Sequence, residues 1–150
     1  MLNRRDVILS AAAMIAGLNR PAATSADVSM LGTVRDKSSG HRGMTAAAAC
    51  SECATACSVL TRVCVERMVA GETQFAALRE LSQDCTDICT VAVTLLRRKG
   101  PLAPAICQAC ADACDRLVER CSILTASETQ RCEVIASRCA IACRTIITDV

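Results

Sequence analysis

From about residue 45 onward the apolar positions recur at three- and four-residue intervals, and no strand alternation competes with them. The clearest stretch is CQACADACDRLVERC, which places thiols at Cys107, Cys110, Cys114 and Cys121. At 3.6 residues per turn these offsets fall within about 60° of one another and run along roughly 21 Å of one helix. Leu117 fills the single gap in their heptad rhythm. CSECATACSVLTRVC repeats the arrangement with Cys50, Cys53, Cys57 and Cys64, and Leu60 fills the corresponding gap.

Punctuation between the apolar runs divides the chain into four helices. The first is expected from about Thr45, a plausible N-cap, to Val69, with Gly71 as the stop. Thr73 caps a second that runs to about Arg98 and ends in basic residues, Gly100 and Pro101. A third follows from about Leu102 to Leu124, and a fourth runs to about Thr148. Between them, Thr125 with Glu128 and Ser127 with Gln130 both read as capping boxes. Short turns force neighbours to be antiparallel, so the expected fold is all-α: an up-down-up-down four-helix bundle with a cysteine-lined core. The second half looks like a copy of the first. Cys85 and Cys89 have the spacing of Cys139 and Cys143, while Leu78 stands where the fourth helix has Cys132.

Counting back from each turn stacks the thiols in layers. Cys53, Cys89, Cys110 and Cys143 form one, and Cys57, Cys85, Cys114 and Cys139 the next. An aliphatic plane of Leu60, Leu81, Leu117 and Ile135 is expected beyond them, then Cys64, Cys121 and Cys132 with Leu78. Cys50 and Cys107 lie at the opposite end. All thirteen cysteines therefore point inward.

Composition sharpens this picture. In 150 residues there are one Phe, no Trp and no Tyr, so thiols take the places of the usual bulky core groups. The length suits one domain. Net charge is only +2, with no basic block left over for nucleic acid or an anionic membrane. There is no Ser/His/Asp set, phosphate loop or pair of acids, so an enzyme is not expected. Asp84, Asp87, Asp112 and Asp115 fall on the outward face as solubilising charges.

Buried cysteine can serve simply as a small hydrophobe, but Ala, Val and Leu fill the same space without risk of oxidation. Disulfides are a second reading. Against it, the number is odd and the cysteines lie at i, i+3 and i, i+4 within continuous helices, although cross-helix bridges remain geometrically possible. Metal binding is the third. Thiolate ligands bring buried negative charge that needs matching cations. Zinc on four thiolates leaves a net charge of −2 per site, which is costly when repeated along a narrow bundle. Cu(I) is soft and singly charged, and can be matched to thiolates about one to one. Ferredoxin-type iron-sulfur runs use other spacings. A disulfide-stabilised structural or redox-sensing bundle and a zinc-sequestering module stay open as alternatives.

At the N-terminus, Asn3-Arg4-Arg5-Asp6-Val7-Ile8-Leu9 resembles a twin-arginine export motif, followed by an apolar run from Val7 to Leu18 and small residues at Ala22 to Ala26. That run is short for a bilayer span, so residues 1–26 are expected to be a cleaved signal rather than a membrane anchor. Residues 27–44 read as a linker, leaving 45–150 for the bundle.

The repeated CQACADACDRLVERC and CSECATACSVLTRVC, with DCTDIC and RCAIAC, resemble the bacterial copper storage proteins. The resemblance covers about Ala46 to Arg144. It implies a four-helix bundle that holds many Cu(I) ions, with Cys50, Cys53, Cys57, Cys64, Cys85, Cys89, Cys107, Cys110, Cys114, Cys121, Cys132, Cys139 and Cys143 as ligands. The export motif resembles that of the exported branch, which implies a periplasmic store supplying copper enzymes or chaperones, or protecting against copper toxicity. Leu60, Leu117 and Ile135 stand where denser members often have a further cysteine, which suggests two groups of sites separated by an apolar plane. His41 and Met44 are placed near the Cys50/Cys107 end, where the family tends to have its entrance. Met68 is expected to plug the core near Phe75 and Leu124. A homo-oligomer is compatible with the small outward residues.

Overall fold

The computed structural model describes residues 35–148, with side-chain surroundings from residue 40 onward. The expected signal, residues 1–26, and the first part of the expected linker lie outside the described residues. Four helices follow one another: α1 (Arg35–Val69), α2 (Ala76–Arg97), α3 (Ala103–Ser122) and α4 (Ser127–Ile147), with a 3-10 turn, Thr73–Phe75, between the first two. α1 packs on α2 and α4, and α3 packs on the same two, so the four close into an antiparallel ring around one core. Small side chains set the spacing. Ala92, Ala111, Ala136 and Ala140 are buried at the seams, where a larger residue would hold the helices too far apart for thiols to meet.

The first helix starts ten residues earlier than the sequence pattern places it. Thr45 does not cap it. Its hydroxyl donates to the His41 carbonyl at 3.0 Å, one turn back, which lets threonine sit inside a helix. Gly40 and Gly43 are weak helix formers, each costing about 1 kcal/mol relative to alanine, and together they hid this extension. Residues 35–44 are therefore helical rather than a linker.

Gly71 closes α1 at φ 93°, which only glycine adopts freely, and the Glu72 N–H donates to the Arg67 carbonyl at 3.0 Å. The expected cap at Thr73 is replaced by the 3-10 turn, which delays α2 by about one turn. Neither capping box forms before α4. Instead the buried Thr129 hydroxyl donates to the carbonyls of Leu124 and Ala126 at 2.9 and 2.7 Å, and so ties the α3–α4 turn together. Phe75 is buried with the Arg67 guanidinium 5.8 Å from its ring centroid, and Leu124 packs beside it. Met68 is 36 % exposed and takes no part in the plug, contrary to its place in the helical pattern. The four aspartates lie at the surface, where Asp115 pairs with Arg144.

Candidate metal centre

All thirteen cysteines are buried free thiols on the inner faces of the four helices. Twelve of their sulfurs form one connected path, and Cys64 lies close enough to Cys132 to feel its charge. Cys50 Sγ lies 3.5 Å from Cys143, 3.7 Å from Cys139 and 3.9 Å from Cys110. Cys110 reaches Cys89 at 3.4 Å, Cys89 reaches Cys85 at 4.0 Å, and Cys85 reaches Cys114 at 3.7 Å. Cys114 is 3.8 Å from Cys53, which is 3.9 Å from Cys57. Cys107 joins through Cys143 at one end, and Cys121 through Cys132 at the other.

The register differs from the sequence expectation by about one turn of α1. Cys50, not Cys53, groups with Cys110 and Cys143, and Cys53, not Cys57, groups with Cys114 and Cys139, while Cys53 keeps its expected partner Cys89. Within each hairpin the expected partners stay together, Cys53 with Cys89 and Cys57 with Cys85, Cys110 with Cys143 and Cys114 with Cys139, so the change is in the height of α1 against α3 and α4, which counting from the turns does not fix. This shift also removes the expected division into two groups. Leu60, Leu117 and Ile135 are buried as anticipated, but Cys57 now comes within 3.9 Å of Cys132 and carries the sulfur path past them.

Charge in this core is shared between sulfurs. Burial disfavours every thiolate, and at Cys64 it is the main cause of a pKa pushed up to about 11. Elsewhere neighbouring thiols decide. Cys110 accepts from Cys114, Cys139, Cys143 and Cys50, and Cys53 accepts from Cys114, Cys139, Cys57 and Cys85, which holds both well below the ordinary thiol range. Hydrogen bonding with Cys114 first, and then with Cys57 and Cys89, brings Cys85 down to about 6 against the opposing effect of Cys53. Cys121 does the same for Cys132, and Cys107 for Cys143, both at about 5. Their partners move the other way: Cys57 beside Cys132, Cys89 and Cys139 beside Cys110, and Cys121 beside Cys132 all rise.

These donors fit a soft monovalent ion. Metal–thiolate bonds of about 2.3 Å place two sulfurs on opposite sides of one ion roughly 4.6 Å apart. Cys50, Cys110, Cys139 and Cys143 lie within 4.8 Å of one another, as do Cys53, Cys89, Cys114 and Cys139, and also Cys53, Cys57 and Cys85. Small side-chain rotations therefore suffice to admit ions between them. Carboxylates and imidazoles are absent from these three groups, which disfavours hard cations.

Fold and lining together define a class of protein, the helical bundle whose core is a soft-metal reservoir. A family model described as copper storage protein matches residues 39–148, and the chain belongs to that family. It is 30% identical over 98 residues to an uncharacterized cysteine-rich protein, YhjQ, of Bacillus subtilis (strain 168), covering 65% of this chain and 89% of that one. Among solved structures it resembles the Cu(I)-bound copper storage protein BsCsp3, at 27% identity and a TM-score of 0.66, over 71% of this chain and 98% of that one. Apo copper storage protein 3 from Bacillus subtilis gives 27% identity and 0.64 over 69% and 97%. The copper storage protein Ccsp from Streptomyces lividans, loaded with 10 copper equivalents, shares the fold at 22% identity and a TM-score of 0.67, over 83% and 94%.

Proposed function

We propose that this chain stores Cu(I) on the thiolates of all thirteen cysteines, in a reservoir that holds metal rather than transforming it. The observation that carries the reading is the unbroken sulfur path, with steps of 3.4 to 4.0 Å wherever a separation is resolved. Neighbouring ions can then share sulfurs, and each added charge is neutralised where it enters. The motif Asn3-Arg4-Arg5 supports an exported, periplasmic store that passes copper to enzymes or chaperones, and fractionation of cells with and without an Arg4→Lys, Arg5→Lys change tests this.

Loading must displace protons. Cys64, Cys57, Cys89 and Cys139 have pKa values raised above the ordinary thiol range, so they are protonated at neutral pH and give up a proton for each copper–sulfur bond. Apparent affinity is accordingly expected to fall as pH is lowered from about 8 to about 5. Competition titrations against a chelator of known protonation behaviour check this, and a pH-independent affinity counts against thiol ligation.

Sharing of sulfurs makes the cysteines unequal. Cys139 belongs to two of the close groups, whereas Cys64 belongs to none of them. Cys139→Ala is expected to lower the copper capacity by about two ions and Cys64→Ala by at most about one. Metal analysis of the loaded variants reads the difference, and equal losses contradict the shared-ligand arrangement.

A further inference from the structure

Where copper enters can be asked of the surface. The sequence points to the Cys50/Cys107 end, but both thiols are wholly buried there. The cleft at that end, about 240 Å³, is lined by Gly43, Met44, Leu96, Ala103 and Ile146 among others, and by no cysteine. A second cavity, about 350 Å³, opens in the side of the bundle between α1 and α4, and Cys132 forms part of its wall. Cys132 is also the one cysteine with any exposure, 2 % against 0 % for the other twelve. Ala56 makes the opening, because its methyl leaves space that a larger side chain would fill, while Leu60 and Ile135 form apolar walls.

We propose that this side cavity is a lateral portal through which Cu(I) carried on a small thiol reaches Cys132 as its first protein ligand. The inference rests on the copper-store reading above. Position in the sulfur path supports it: Cys132 contacts Cys57 at 3.9 Å on one side and Cys121 on the other. An ion arriving there can pass towards either end, whereas an ion entering beside Cys107 must travel the whole path to reach Cys121. The volume suits a low-molecular-weight carrier and excludes a folded donor domain. Glu52, Glu128 and Arg131 at the rim provide both signs of charge for a zwitterionic thiol. Transfer is ligand exchange without change of oxidation state. The copper bond to Cys132 Sγ forms as the bond to the carrier sulfur breaks, the Cys132 sulfur binding as a thiolate and the carrier sulfur leaving as one, so that charge balances.

Two measurements on the reduced, metal-free protein test this. Trace alkylation with iodoacetamide followed by peptide mapping is expected to label Cys132 first, and first labelling of Cys50 or Cys107 overturns the proposal. Stopped-flow loading from the Cu(I) complex of glutathione is expected to be at least about tenfold slower in Ala56→Phe, which fills the side cavity, with the same final capacity. Gly43→Phe, in the end cleft where an added Cβ meets nothing within 4 Å, is expected to load at the parent rate. Equal rates in all three proteins, or slowing only in Gly43→Phe, overturn it. Failure of the storage reading shows separately, as a final capacity of one or two ions whatever the rate.

Discussion

Titration of the reduced, metal-free chain with Cu(I) against a competing chelator is expected to reach roughly one ion per thiolate before the chelator retains any excess. Charge and geometry both lead there. Thirteen buried thiolates need about thirteen units of positive charge, and a monovalent ion supplies it without leaving each site at −2 as zinc on four thiolates does. The three close groups hold sulfurs within 4.8 Å of one another, and Cys139 and Cys53 each belong to two of them, so adjacent ions can be bridged rather than isolated. A count of reactive thiols in the same preparation, made after mild denaturation, is expected to return about thirteen. Binding of only one or two ions eliminates a store. A count of one or three thiols instead identifies a disulfide-linked bundle.

The helical spacing of cysteines was enough to foresee both the architecture and the inward direction of the lining, because a period of 3.6 assigns each residue to a face without reference to other helices. Relative height between helices was not readable in the same way. It depends on how the helices pack against one another as well as on the turns, and the 3-10 geometry at Thr73–Phe75 left no trace in the side-chain pattern. Such a turn differs from ordinary helix by a small change in ψ, to which side-chain pattern is nearly blind. The early start of α1 was hidden for a related reason: glycine and polar residues at 37–43 have low helix propensity, but propensity is a weak prior beside tertiary packing. Met68 shows the converse, an apolar residue at the end of a helix where the bundle no longer has a neighbour to cover it.

The displaced register has chemical consequences. Had the layers stacked as counted, Leu60, Leu117 and Ile135 would have separated Cys64, Cys121 and Cys132 from the remaining sulfurs. Instead Cys57 reaches over that plane to Cys132, so the aliphatic side chains pack beside the path without cutting it. The core consequently combines two tasks that usually compete. Leucines and alanines supply apolar burial that holds the bundle closed, while the thiols between them are small, nearly apolar when protonated, and able to take a metal ion in place of the proton.

That combination leads to a second large effect, on stability. The metal-free bundle has one aromatic residue in its core and relies on cysteine, alanine and leucine for burial, and domains are ordinarily stable by about 5 to 15 kcal/mol. Every ion bound only by the folded state adds to this, about 2.7 kcal/mol per site at a free concentration one hundred times the dissociation constant. A few such sites match the whole stability of the apo fold. Thiols in the unfolded chain also take up Cu(I), which reduces the gain, but they cannot reproduce the contacts that link all four helices, such as Cys50 with Cys110 and Cys143 or Cys89 with Cys110. Full loading is therefore expected to raise the thermal midpoint by tens of degrees in anaerobic calorimetry, and removal of copper by a strong chelator to restore the original value. A midpoint that stays within a few degrees despite high copper content would mean that the ions bind outside the core or equally well to the unfolded chain.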